Sequence, residues 1–219
     1  MDTSGTARWS IAAELVLLAL FGFVAVTVLR GNPRRAPVLA IVAVVLIGVP
    51  SLLQHAVPAV GRALERDPSA TLAHGQWWRP VTALLAQDGG LVAAVFTLLV
   101  VASVVLVAEQ AWGPGRTLIA FLGTSVVLNL VALAWGARGG GSSFATDGTI
   151  LALAVRTALT RSEPPLRVIA VVMVVIGAAL AVAGDAHGVA MLVGAAIGLL
   201  IAVPELARRR SAPAPTGAH

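Results

Sequence analysis

Long apolar runs recur along this chain and constrain its fold more than any other feature. A helix that crosses a lipid bilayer needs about 20 mostly apolar residues. Runs close to that length cover approximately residues 9–29, 37–54, 91–108, 117–135, 143–160, 167–183 and 187–205. The run at 143–160 is the weakest, because it includes Asp147 and Arg156. The pattern predicts an all-α, polytopic membrane bundle.

The composition excludes a soluble protein and several kinds of chemistry. Hydrophobic residues make up 58% of the chain and charged residues 11%, whereas globular proteins carry about 25% charged residues. Cysteine is absent, which excludes disulfides, thiolate metal sites and cysteine nucleophiles. The four histidines are scattered, and no lysine follows the glycine triplet at 139–141, as a phosphate-binding loop would require. We therefore expect no metal, no cofactor and no nucleic acid, with the lipid bilayer as the surrounding partner.

Arginine placement predicts the orientation of the chain. Seven spans put alternate loops on opposite sides of the membrane, and the side richer in Arg is normally cytoplasmic. We therefore expect an outer N-terminus, a cytoplasmic C-terminus and a multi-pass protein of the plasma membrane. Its Arg-rich, Lys-free composition indicates a bacterial source. The richer set is Arg30, Arg34, Arg35, Arg116, Arg161, Arg167, Arg208, Arg209 and Arg210, and the poorer set is Arg8, Arg62, Arg66, Arg79 and Arg138.

Three groups of residues stand out against this apolar background. The only long loop, residues 55–90, contains Gly75-Gln76-Trp77-Trp78-Arg79-Pro80-Val81-Thr82. The second group is Glu109 followed by Trp112-Gly113-Pro114-Gly115-Arg116, and the third is Ala186-His187 followed by Ala190, Gly194 and Gly198. Taken alone, the first suits an interfacial anchor, and His187 suits an ordinary helix cap.

Small residues predict close packing between two of the spans. Ala190, Gly194 and Gly198 are spaced four apart, and such a stripe lets a second helix approach to backbone contact. Gly148 and Ala152 form a matching stripe on the span at 143–160. We therefore expect these two helices to pack together, with His187 facing the top of the span at 143–160.

Together, the three groups resemble landmarks of the rhomboid family of intramembrane serine proteases. They are similar to its G-[QE]-W-W-R-x-x-T, E-x-x-x-G-x-x-R and A-H-x-x-G-x-x-x-G motifs, with Ala190 replacing one glycine. The resemblance implies a rhomboid-like six-helix membrane domain at residues 37–206. An additional transmembrane helix and an Arg-rich cytoplasmic loop would precede it at 1–36. Residues 207–219 are polar and Pro-rich, which predicts a disordered cytoplasmic tail.

The nucleophile that the resemblance implies is not in its usual motif. The family cuts its substrates with a Ser in G-x-S-G and a His on its sixth core helix, and residues 139–150 contain no G-x-S-G. If Gly148 is the last Gly of the motif, Asp147 stands where the Ser should be. The segment Gly141-Ser142-Ser143 keeps G-x-S, but Phe144 follows it. If Gly148 is instead the first Gly, Ile150 takes the place of the Ser. The alignments remain open, and Ser143 and Asp147 are the candidates to face His187.

The oxyanion donors that the resemblance implies are also missing. The family uses a His and an Asn on its second core helix, and these places fall at Val92 and Phe96, or at Thr97 with a one-residue gap. Gln87 occupies the place of a further upstream His. Such a donor is typically worth about 2.7–4 kcal/mol in the transition state, so its loss favours an inactive protein.

The favoured interpretation is a pseudoprotease that binds transmembrane segments of client membrane proteins. Asp147 and His187 would then form a buried acid–base pair in place of the catalytic dyad. One alternative is an active intramembrane serine protease that uses Ser143 and His187. The other is a small-solute carrier or a subunit of a membrane complex. Neither a client nor an oligomeric state follows from the sequence.

Overall fold

The computed structural model describes residues 3–30 and 36–211, and the side chains of residues 12–30 and 36–208. Within those ranges the chain is helical and contains no strand, which confirms the all-α prediction. A short 3₁₀ helix covers Ala83–Leu85. The helices are α1 Thr3–Arg30, α2 Val38–Ala56, α3 Pro58–Leu64, α4 Pro68–His74, α5 Arg79–Thr82, α6 Gly90–Trp112, α7 Pro114–Ala134, α8 Ser143–Thr160, α9 Pro164–Val182 and α10 Ala186–Ser211.

Six of the described helices are long and apolar enough to cross a membrane: α1, α2, α6, α7, α9 and α10. The chain is therefore a multi-pass integral membrane protein, as predicted. The run at 143–160 forms a helix of similar length, α8, but falls short on apolarity. Its residues are mostly buried against other helices. A helix shielded from lipid by its neighbours tolerates polar residues that a lipid-facing helix does not.

The bundle is organised around α8. It packs most extensively against α10 and also contacts α1, α6, α7 and α9. A side chain at Gly194 would place its Cβ 2.0 Å from the carbonyl oxygen of Gly148, and one at Gly198 would lie 2.4 Å from that of Ala152. The two backbones are therefore in direct contact along this seam. This contact fixes the height of α10 against α8, and with it the position of His187.

The loop between α2 and α6 covers one end of the bundle. Arg66 pairs with Gly139 through two backbone hydrogen bonds, and its guanidinium donates to Asn129 and to the carbonyl of Ala137. Arg79 donates to the carbonyls of Arg62 and Glu65 at the end of α3. Arg66 therefore joins the loop to α7 and to the segment that follows it, whereas Arg79 joins two parts of the loop to each other.

The opposite end of the bundle is joined by carboxylates. Glu109 is buried near the end of α6, and its side chain accepts hydrogen bonds from the amides of Leu39 and Ala40 at the start of α2. Such a carboxylate satisfies amides that a helix N-terminus leaves unpaired. Glu205 of α10 accepts from both Arg116 and Arg156. Landmark residues Glu109 and Arg116 therefore join helices that are distant in sequence.

The ends of the predicted domains differ in one respect from the structure. Helix α10 continues to Ser211, so residues 207–211 are helical where the composition predicted a disordered tail. The remainder of that tail, residues 212–219, lies outside the described residues. Arg34 and Arg35 of the predicted Arg-rich loop also lie outside them.

Candidate functional site

His187 lies between a hydroxyl and a carboxylate at the loop-covered end of the bundle. Its Nε2 is 3.2 Å from the Oγ of Ser143, and its Nδ1 is 2.8 Å from Oδ1 of Asp185. The same Asp185 oxygen accepts from the backbone amide of His187 at 2.9 Å. A carboxylate on Nδ1 favours the tautomer with hydrogen on that nitrogen. Nε2 is then free to accept the proton of Ser143.

Ser143 is held in place by the loop that leads into α8. It is the first residue of the helix, and the glycines before it lie against residues 83–88. A Cβ on Gly140 would be 2.7 Å from the carbonyl oxygen of Ala83, so only glycine fits there. The amide of Gly141 donates to that same carbonyl at 2.9 Å. The glycine triplet therefore allows the close approach that sets Ser143 opposite His187.

A polar cavity of about 270 Å³ adjoins the pair. The side-chain amide of Gln54 donates to the backbone carbonyl of Gln87 and accepts from its backbone amide, which holds the loop against α2. The side-chain amide of Gln87 then donates to Ser142 at 2.9 Å. Phe144 lies edge-on to the His187 ring, with centroids 5.1 Å apart. The cavity is lined by Arg66, Gln87, Asp88, Thr97, Gly140, Gly141, Ser143, Phe144 and His187.

Asp147 lies on α8 one helical turn beyond Ser143. It borders a small cavity of about 10 Å³ that it shares with Glu14, Leu17 and His187. The ring nitrogens of His187 contact Asp185 and Ser143. The structure therefore differs from the expected Asp147–His187 pair: the acid hydrogen-bonded to the imidazole is Asp185, and the residue on Nε2 is a serine.

Comparisons with known proteins add nothing to this geometry. No protein-family model and no curated protein matches the chain. The site must therefore be interpreted from its own residues.

The places expected for oxyanion donors carry hydrocarbon. Val92 is 86% exposed and Phe96 is 46% exposed on the outer face of α6. Thr97, the alternative position, does line the cavity. The first amides of α8 are further candidates, because the opening turn of a helix leaves its N–H groups without intrahelical acceptors and the Ser142 cap supplies no side-chain hydrogen bond to them. Donors to a developing oxyanion can therefore come from α8 itself.

Several cavity residues escaped the sequence analysis. Arg66 sits in an unremarkable charged stretch, and nothing in its neighbours signals that it reaches Asn129 across the loop. Burial lowers the pKa of its guanidinium, while the nearby Asp88 raises it. Asp185 is a second missed residue, and its position two residues before His187 is the signal that could have identified it as the ring's partner.

The remaining predicted residues lie away from the cavity. Trp77 and Trp78 are both more than half exposed at the loop surface, which suits an interfacial anchor. Gly113 begins the turn between α6 and α7 with a positive φ of 85°. Within residues 12–30 and 36–208, no cluster of three or more His, Asp or Glu side chains could hold a metal ion.

Proposed function

We propose that this chain is a rhomboid-like, membrane-embedded serine hydrolase that cleaves peptide bonds in transmembrane proteins. The observation that carries the proposal is the chain of contacts from Ser143 through His187 to Asp185, at 3.2 and 2.8 Å. A serine hydroxyl is a weak nucleophile unless a neighbouring base accepts its proton. Here the base is within reach of the hydroxyl, and its own orientation is fixed by a carboxylate.

The reaction follows from these contacts. Ser143 Oγ attacks the carbonyl carbon of the scissile peptide, and its proton passes to Nε2 of His187. When the tetrahedral intermediate collapses, the C–N bond breaks and the leaving amine takes that proton. Water then attacks the acyl ester on Ser143 and gives a proton to His187. The carboxylic product departs as Ser143 regains its proton, and Asp185 stabilises the imidazolium at both stages.

The oxyanion would be stabilised mainly by the backbone. The amides at the start of α8 carry the positive end of the helix dipole and lie beside the nucleophile. Thr97 lines the adjoining polar cavity and carries a second possible donor, its hydroxyl. Because these donors replace the family's side chains, we expect slow catalysis.

A cleavage assay tests this proposal directly. The purified protein is reconstituted in liposomes with a pool of single-span transmembrane peptides, and the products are identified by mass spectrometry. We expect slow cleavage that is lost in Ser143→Ala and retained in Ser103→Ala. Ser103 is a matched control, because its hydroxyl bonds only the carbonyl of Leu99 within its own helix. Equal cleavage by wild type and Ser143→Ala would exclude Ser143 as the nucleophile.

A second candidate function is client binding without cleavage. It is favoured by the hydrocarbon side chains at Val92 and Phe96, where the family places its donors. Under this alternative, the peptides would bind wild type and Ser143→Ala with equal affinity and no product would form. Peptide affinity and product formation measured on the same samples therefore separate the two functions.

A further inference from the structure

Helix α1 forms one wall of the site, although the predicted six-helix domain begins after it. It contacts α6, α8 and α9, and each of α6 and α9 also packs on α8. Within the described residues, α6 and α9 make at most marginal contact with each other. Helix α1 therefore fills a groove that has α8 as its floor and α6 and α9 as its sides.

The occupant of this groove reaches the catalytic histidine. Glu14 and Leu17 of α1 border the same small cavity as Asp147 and His187. Leu17 is buried in the main hydrophobic core, together with Phe21, Val24 and Val28 further along α1. These side chains recur every three or four residues, so a single apolar stripe of α1 contacts the groove.

The two ends of α1 are held differently. Near its C-terminal end, the carbonyl of Thr27 accepts a hydrogen bond from Arg161 at 2.9 Å. Near His187 the described contacts of Leu17 are apolar packing, which has little driving force in lipid because lipid tails pack equally well. Only 22% of the apolar span of α1 is buried, against 28–50% in the other five spans.

We propose that α1 closes this groove in the resting protein and must leave it before a substrate helix can reach Ser143. A single-span helix of a substrate replaces the N-terminal half of α1 and so reaches Ser143 from within the bilayer, while the Arg161 end stays in place. The inference rests on the proposed hydrolase function only where it expects cleavage. The displacement of α1 can be observed whether or not the protein cleaves a substrate.

Distances between spin labels test the displacement. The chain has no cysteine, so Leu15→Cys and Val175→Cys place two labels at lipid-exposed positions of α1 and α9. The measurement uses the Ser143→Ala background, which prevents cleavage, with and without the pool of single-span peptides. We expect a second population, with a separation altered by up to about 10 Å, since admitting a helix requires movement of about one helix diameter.

A matched label pair supplies the control. Val45→Cys on α2 and Ile119→Cys on α7 are also lipid-exposed and lie outside the groove, so their separation should not change. If neither label pair responds while wild type cleaves the peptides, the groove proposal is overturned and the hydrolase stands. If α1 moves and wild type cleaves nothing, the groove proposal is supported and the hydrolase proposal is overturned. An unchanged distance without cleavage contradicts both.

A reversible tether gives a second readout. Ala13→Cys and Leu180→Cys line the same small cavity from α1 and α9, so a disulfide between them would hold α1 in the groove. We expect oxidation to reduce peptide cleavage at least about tenfold and a reducing agent to restore it. A small water-soluble fluorophosphonate should label Ser143 equally in both states, because it enters through the polar cavity. Cleavage that survives a complete cross-link would contradict the proposal.

Discussion

At the residue scale, two carboxyl groups near the His187 ring, those of Asp185 and Asp147, have different roles. Asp185 contacts Nδ1 of His187 directly, whereas Asp147 borders a small cavity together with Glu14 and His187. The sequence analysis paired Asp147 with His187 and did not consider Asp185 as the partner of the ring. The choice depends on the turn between α9 and α10, where Gly184 adopts a positive φ of 82° and Asp185 becomes the cap of α10. No pattern of apolar residues encodes that geometry.

The same substitution at the two acids should separate these roles. Asp185→Asn keeps an oxygen to cap α10 but removes the charge, so the rate of Ser143 labelling by a fluorophosphonate should fall by roughly 10²-fold or more. Asp147→Asn should lower that rate by less than about tenfold, since it does not orient the ring. Labelling rates measured against pH show which acid orients His187, and thermal stability checks that both variants are folded. A larger loss in Asp147→Asn would reverse the assignment.

A third acid, Asp67, should make the folding stability depend on pH. The pKa of Asp67 lies below its ordinary value for two reasons. Its carboxylate accepts a hydrogen bond from the amide of Ala70 at the start of α4, and the guanidinium of Arg138 also stabilises the charged form. Its stabilising effect is therefore present above the unfolded pKa, about 3.9, and is lost as pH falls through the folded value. We expect Asp67→Ala to lower the melting temperature in detergent at pH 7, with the difference narrowing at pH 3. A constant difference across that range would contradict the assignment.

At the element scale, the seam between α8 and α10 determines whether the site exists. The small-residue stripes were visible in the sequence, and the structure places Gly194 against Gly148 and Gly198 against Ala152. The long helices could also be located from the sequence, because each apolar run predicts one helix. The short helices α3, α4 and α5 could not be predicted in this way. Their turns depend on contacts with carbonyl groups distant in sequence, such as those that Arg79 binds.

Adding one methyl group at this seam should separate the two helices. The Cβ of Gly194→Ala would lie 2.0 Å from the Gly148 carbonyl oxygen, so α10 must shift, at a cost of about 1–3 kcal/mol or more. Ser143 labelling should fall as well. Gly123→Ala on α7 is the control, because its Cβ would meet only Ile197 at 3.7 Å, and it should stay within about 1 kcal/mol of wild type. Unfolding free energies in bicelles compare the two variants, and equal effects would argue against a tight seam.

At the scale of the whole molecule, the helices place the site at one end of the bundle. The N-termini of α8 and α10, the loop between α2 and α6, and residue Glu14 of α1 all lie at that end. If every long helix crosses the bilayer, the two termini are on opposite sides. The seven apolar runs predicted this arrangement, since each crossing reverses the side, and the Arg counts predicted which terminus is cytoplasmic. The cavity beside Ser143 and the contact of α1 with the small cavity at His187 could be found only from the three-dimensional structure.

Reporter fusions in bacterial cells should reveal the orientation. Because the Arg-rich loops favour the cytoplasm, green fluorescent protein on the C-terminus should fluoresce and alkaline phosphatase there should be inactive. The same phosphatase fused to the N-terminus, behind its own export signal, should be active. The reverse pattern would place the Ser143 cavity on the cytoplasmic side.

The central claim is that Ser143 is a nucleophile activated by His187, and the mass of a covalent adduct tests it most directly. The purified protein is treated with a fluorophosphonate and digested, and the modified residue is located by mass spectrometry. The account predicts one adduct, on Ser143, that is absent in Ser143→Ala and strongly reduced in His187→Gln. A folded wild-type protein that acquires no adduct, or acquires it equally in His187→Gln, would contradict the account.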